Sequence, residues 1–134
     1  MWEKIKATVL YLRRQGLRVD GIGWQAHINV GWELDSGKLT RLRALIDWAH
    51  ANKLFFHVTE NNVWLKWKKN YNAQAATFAA ILKVLLEKRH TGVVTWNVWN
   101  ISDGDQWIQK KNGPAVFFLT ISARNQPTML FKKS

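Results

Sequence analysis

The sequence contains no cysteine, which excludes a disulfide framework and thiolate metal sites and leaves no trace of redox compartment. It has no run approaching the ~18 apolar residues of a membrane-spanning helix. Its first residues, Met1-Trp-Glu-Lys-Ile-Lys, mix charge with apolar side chains where a signal peptide would be continuously apolar. The expectation is a chain without membrane span or export signal. No internal repeat, low-complexity segment or linker is present, and no glycine-rich phosphate loop, since Gly21-Ile-Gly23 opens no helix. The histidines, at positions 27, 50, 57 and 90, show neither H-E-x-x-H nor another ligand spacing, so neither a metal nor another cofactor is expected. Acids are scarce: nine Asp and Glu stand against 20 Lys and Arg, a formal charge of +11. Such a field attracts anionic partners. The cations, however, are spread over helical faces and element ends with no nucleic-acid-binding motif beside them, which reads as solvated surface and helix-end complementarity.

What is there suits one domain over residues 1–134, with 47% hydrophobic content to build a core. Nine tryptophans are a surplus. The flat indole stacks on sugar rings or bases, although about half of the indoles are expected to serve the core.

Trp2, Ile5, Val9 and Leu12 recur at helical spacing and Gly16 ends the pattern, predicting a helix over about 2–15. A short strand follows within 17–28, its glycines allowing close backbone approach. Leu39, Leu42, Leu45, Ile46 and Ala49 predict a second helix. Residues 53–59 predict a second strand, apolar on both parities as if buried on both faces. Phe78, Ile81, Leu82 and Leu85 mark a third helix ending near His90, and 93–96 a third strand. Gly113-Pro114 breaks the chain before 116–121, a run of strong strand propensity. Helices alternating with strands specify an α/β fold of successive parallel units, and right-handed crossovers bring the strand C-termini to one rim.

Each strand delivers polar and aromatic residues to that rim: Trp24-Gln25-Ala26-His27, then Thr59-Glu60-Asn61-Asn62, then Trp96-Asn97-Val98-Trp99 leading to Asp103 and Trp107. A carboxylate, an imidazole, amides and indoles together suit sugar chemistry, in which a carboxylate attacks an anomeric carbon or moves a proton and an indole supports the ring. On strand alternation His57 is buried and structural, whereas His27 sits at the rim.

Val19-Asp-Gly-Ile-Gly-Trp-Gln-Ala-His27 resembles the V-D-G-I-G-x-Q-x-H strand of glycoside hydrolase family 10, the retaining endo-β-1,4-xylanases. Val58-Thr-Glu60 resembles the family's I/V-T-E nucleophile strand. Trp99-Asn-Ile-Ser-Asp103-Gly-Asp-Gln-Trp107 resembles its W-G-x-x-D-x-x-S-W loop. The resemblance implies Glu60 as nucleophile, His27 as the group that orients or tunes it, and Gln25, Asn62, Trp99, Asp103 and Trp107 as substrate-binding residues. It also implies xylan or xylo-oligosaccharide as ligand, and secretion.

The sequence departs from the family in two ways. A (β/α)₈ barrel needs about 250 residues, and this chain resembles the C-terminal part only, a partial (half) TIM barrel lacking the W-x-x-x-N-E strand of the general acid/base. Retaining hydrolysis uses two carboxyl groups ~5 Å apart, and Glu33, Asp35, Asp103 and Asp105 are the remaining rim-loop acids. Where the family reads T-E-x-D, Asn62 replaces the Asp, removing a negative charge that would favour the imidazolium of His27. Open sheet edges predict association, and if 116–121 adds a fourth strand, two copies supply eight; a homo-oligomer, a dimer in preference, is expected. The expected activity is xylanase-type hydrolysis, weak or dependent on assembly. The alternative is a non-catalytic carbohydrate-binding or structural remnant of such a barrel.

Overall fold

The computed structural model describes residues 2–65 and 70–99. Helix α1 (Trp2–Arg14) leads into strand β1 (Gly21–Asn29), α2 (Lys38–Ala51) into β2 (Phe55–Trp64), and α3 (Tyr71–Lys88) into β3 (Val94–Trp96), with a 3-10 turn at Trp32–Leu34 after β1. The strands form one sheet in the order β1-β2-β3. Both pairings are parallel, so all three C-terminal ends lie on one side. This is an open segment of a β/α barrel. Among the described residues no helix is long and apolar enough to cross a membrane. The predicted strand at 116–121, Asp103, Asp105 and Trp107 lie outside the described residues.

Local chemistry explains the element ends. Glu3 lies in the first turn of α1 and Arg13 and Arg14 in the last, where each complements the helix dipole. Gly16, at φ +76°, lets Leu17 N–H reach the Leu12 carbonyl (3.1 Å) and Gly16 N–H that of Arg13 (3.0 Å), a Schellman closure. The Arg13 guanidinium then donates to the Asn52 and Val19 carbonyls at 2.7 and 2.8 Å, tying α1 to the entries of β1 and β2. Asn70 caps α3 by accepting from Ala73 N–H at 3.0 Å.

The core lies between the sheet and its helices. Ile22, Trp24, Ala26 and Ile28 of β1 cluster with Phe56, Val58 and Val63 of β2, with Leu42, Leu45, Ile46 and Ala49 of α2, and with Phe78, Ile81, Val84 and Leu85 of α3. Each large side chain buried there contributes roughly 1.5–3 kcal/mol. The opposite parity of β1, Gly21 through Asn29 in steps of two, is exposed or half-buried.

Three expectations need correcting. The second strand does not stop before Glu60. The ladder with β1 continues to Asn29↔Trp64, because Asn61 and Val63 bury fully on the helix side and hold the chain in register. Nor are both faces of β2 buried: Phe55 and Thr59, on the face away from the helices, are exposed. His57 lies on that face and is half-buried rather than buried, its Nδ1 2.7 Å from Thr95 Oγ1.

Candidate functional site

The site depends on an irregularity in β2. Register runs Trp24↔Val58 and then Gln25↔Glu60, so Thr59 is an extra residue. Phe56 and Val58 point into the core, and strict alternation would send residue 60 after them. The bulge resets the phase, turning Glu60, Asn62 and Trp64 to the helix-free face opposite Gln25, His27 and Asn29. Gly23 makes room for it: a Cβ there would stand 2.9 Å from Thr59 Cγ2. On the core side, fully buried Asn61 fastens the three strands, donating from Nδ2 to the Ala26 carbonyl at 2.9 Å and accepting from Trp96 Nε1 at 2.9 Å. Past the bulge, Asn97 and Trp99 N–H donate to the Val58 and Asn61 carbonyls, carrying the chain after β3 alongside.

The Glu60 carboxylate is held at both oxygens. Gln25 Nε2 donates to Oε1 at 2.9 Å, and His27 Nε2 lies 2.9 Å from Oε2. Only 18% of the Glu60 side chain and 19% of that of His27 are exposed, so the pair is sheltered yet reachable from the open face. On its other side, His27 Nδ1 is 2.7 Å from Asn62 Oδ1, and Asn62 Nδ2 donates to the Trp99 carbonyl at 3.0 Å. Two indoles enclose the imidazole: Trp64 stacks on it at 6.0 Å and 13° between planes, and Trp99 meets it edge-on at 6.4 Å and 83°.

The structure therefore brings together Glu60, His27, Gln25, Asn62 and Trp99; Asp103 and Trp107 lie outside the described residues. Asn62 is only 2% exposed with both ends of its amide engaged, and so stands behind His27. Trp64 was missed by sequence reasoning. Its parity places it in the core unless the bulge is known, and two consecutive polar residues, Asn61 and Asn62, within an apolar strand were the available signal. Two other rim indoles serve the core: Trp24 packs against Trp2 and Trp32 at 6.1 and 5.4 Å, and Trp96 against Phe78 at 6.2 Å.

Five other carboxylates among the described residues are paired with cations. Glu3 pairs with Lys6, Asp20 with Arg18, Asp35 with Lys38, Asp47 with Lys88 and Glu87 with Arg43. Lys38 and Arg43 hold the carboxyls of Asp35 and Glu87 below the usual range, chiefly through these hydrogen bonds. Glu33, in the turn after β1, has a buried oxygen, Oε2, without a hydrogen-bond partner among the described residues. No group of three or more His, Asp or Glu fit to hold a metal occurs among the described residues. A cleft of about 620 Å³ touches Gln25 and His27 and continues past Trp2, Trp24, Trp32, Lys38 and Arg41. Glu60 does not line it, and β1 is a terminal strand of the sheet.

Fold and site together define a β/α-barrel segment with a glutamate–histidine pair near the C-terminal ends of its strands. The sequence model of glycosyl hydrolase family 10 matches residues 2–132, and the chain belongs to that family. It is 28% identical over 130 residues to endo-1,4-beta-xylanase A of Thermoanaerobacterium saccharolyticum, covering 90% of this chain and 10% of that protein. It is 28% identical over 133 residues to an endo-1,4-beta-xylanase of Geobacillus stearothermophilus, covering 86% of this chain and 39% of that one. Among solved structures, the intracellular xylanase of T. saccharolyticum, a mutant in complex with xylotetraose, superposes with a TM-score of 0.69 at 22% identity, over 89% of this chain and 36% of that one. Native xylanase 10B of Thermotoga maritima gives 0.70 at 24% identity, over 86% and 36%. The chain thus spans well under half the length of these proteins.

Proposed function

We propose that this chain carries the nucleophile side of a retaining glycoside hydrolase acting on xylan or xylo-oligosaccharides, with Glu60 as nucleophile. The observation that carries this reading is the Glu60 carboxylate on the helix-free face, fixed at both oxygens by Gln25 and His27. Held this way, one oxygen would attack the anomeric carbon to form a glycosyl ester as the glycosidic C–O bond breaks. The departing oxygen takes a proton from a general acid, and water then hydrolyses the ester. Trp99 and Trp64 offer indole walls for a pyranose, and Asp103 and Trp107 complete the substrate-binding set. Its similarity to two endo-1,4-beta-xylanases supports the substrate class.

We assign the general acid to Glu33, Asp103 or Asp105 in the rim loops, or to a carboxyl outside this sequence, in the same or a second polypeptide. A second polypeptide accords with a barrel completed by association, in a dimer for preference, at the outer edge of β1 where the cleft lies. Gel filtration with light scattering tests this, and a stable monomer contradicts it.

The alternative is carbohydrate binding without turnover. Reducing-sugar release from xylan by the parent and by Glu60→Gln, with tryptophan fluorescence titrated by xylotriose, separates the two. The hydrolase reading predicts release that Glu60→Gln lowers at least ~10²-fold. Quenching with no release from either protein supports the binding reading. Equal release from both removes Glu60 from the mechanism.

A further inference from the structure

The hydrogen bonds behind Glu60 count the protons of the site. The Trp99 carbonyl only accepts, so Asn62 turns its NH₂ toward it, at 3.0 Å. That leaves Asn62 Oδ1, also an acceptor only, facing His27 Nδ1 at 2.7 Å, and Nδ1 must carry a hydrogen. The opposite ring nitrogen, Nε2, stands 2.9 Å from Glu60 Oε2. One proton, and only one, fits between them: on nitrogen it makes an imidazolium–carboxylate pair, on oxygen an imidazole–carboxylic acid pair. The remaining arrangement, a neutral ring with its hydrogen on Nε2, would aim the bare Nδ1 at Oδ1. Turning the amide over to relieve this would set Oδ1 against the Trp99 carbonyl.

We propose that Asn62 is a positioning residue that locks His27 in the Nδ1–H form, so that one transferable proton holds His27 to Glu60. When that proton leaves, a bare Nε2 and a carboxylate, both acceptors, face each other and the contact opens, freeing Oε2 while Gln25 keeps Oε1. The site is then gated: clasped with the proton, open without it. An aspartate at position 62 would instead set a second negative charge against the ring and hold the imidazolium. Among the described residues, charged and titratable groups reach the pair from three elements. Glu60 and half-buried His57 come from β2, while Glu3 and Lys6 of α1 and Lys38 and Arg41 of α2 line the cleft that His27 also borders.

The tautomer follows from the hydrogen bonds alone, whereas its bearing on the reaction rests on Glu60 acting as nucleophile. A measurement that reads the ring without any sugar keeps the two apart. In the full chain labelled with ¹⁵N-histidine, the His27 resonances are assigned by their loss in His27→Gln and followed through a pH titration. Above the transition the expected pattern is a pyrrole-type Nδ1 and a pyridine-type Nε2. The reverse, the common form of free histidine, overturns the proposal. Asn62→Leu, which deletes the acceptor at similar size, is expected to return the ring to Nε2–H; retention of Nδ1–H would show that Asn62 is not the lock. Asn62→Asp, which preserves the acceptor, is expected to keep the doubly protonated ring to higher pH than the parent, and an unchanged midpoint counts against the mechanism.

Discussion

Gly23 of β1 and Thr59 of β2 face each other so closely that a Cβ on the glycine would lie 2.9 Å from the threonine Cγ2. The side chain that glycine lacks is the space the bulge occupies, and the bulge aims Glu60. Thr59 is β-branched and has little freedom to swing away. Gly23→Ala is therefore expected to cost about 1–3 kcal/mol, as overpacking does, and to weaken any function of Glu60 more than the stability loss accounts for. Urea unfolding alongside xylotriose titration checks this; a variant as stable as the parent that binds equally well would contradict it.

Asn61 fastens the sheet from the core side. Its replacement by Leu removes the hydrogen bonds to the Trp96 indole N–H and the Ala26 carbonyl, each worth about 0.5–1.5 kcal/mol. Asn61→Leu should lower the urea midpoint by a corresponding step, and Trp96→Phe, which removes only the indole donor, should lower it by part of that step. A midpoint unchanged in Asn61→Leu would show that these contacts contribute little.

The periodicities of α1, α2 and α3 and the parallel order were legible in the sequence because one face of each helix repeats at 3.6 residues and helices alternate with strands. The rim residues were legible as well, since Gln25, His27, Glu60 and Asn62 stand at corresponding places in consecutive strands. The bulge was not. Alternation through Phe56 and Val58 says nothing about Thr59 being unpaired, and without it residues 60, 62 and 64 fall on the core parity. The sequence also cannot show that the helix-free face lies open, because a strand such as Phe55-Phe56 looks alike whether a second layer covers it or not.

Acid should loosen the contact between α2 and α3. Arg43 donates to both Glu87 oxygens, at 2.7 and 3.1 Å, and holds that carboxyl below its ordinary range, chiefly by this hydrogen bond. A carboxyl lowered in the folded state stabilises fully above its unfolded value, and the contribution is lost as pH falls through the lower folded one. Thermal unfolding followed from neutral pH into acid should therefore decline less steeply for Glu87→Gln than for the parent, and the difference should shrink in high salt because the pair is exposed. Superimposable acid limbs would contradict this.

If association completes the site, function should depend on protein concentration. Dilution through the dissociation range should reduce xylo-oligosaccharide binding per chain, and substitutions along the exposed edge of β1, such as Gln25→Pro, should abolish assembly. Because Gln25 also holds Glu60, Gly21→Pro at the far end of the same edge serves as the companion variant. Binding per chain that is independent of dilution would refute the dependence.

The most direct test is covalent capture. A 2-deoxy-2-fluoro-β-xylobioside with a dinitrophenyl leaving group needs no proton donor to depart, so a nucleophile can be labelled even where the general acid is missing. Intact-mass and peptide mass spectrometry should find one fluoroxylobiosyl adduct per chain, on Glu60, and none on Glu60→Gln. No adduct on the parent, or an adduct on any other residue, would contradict the account.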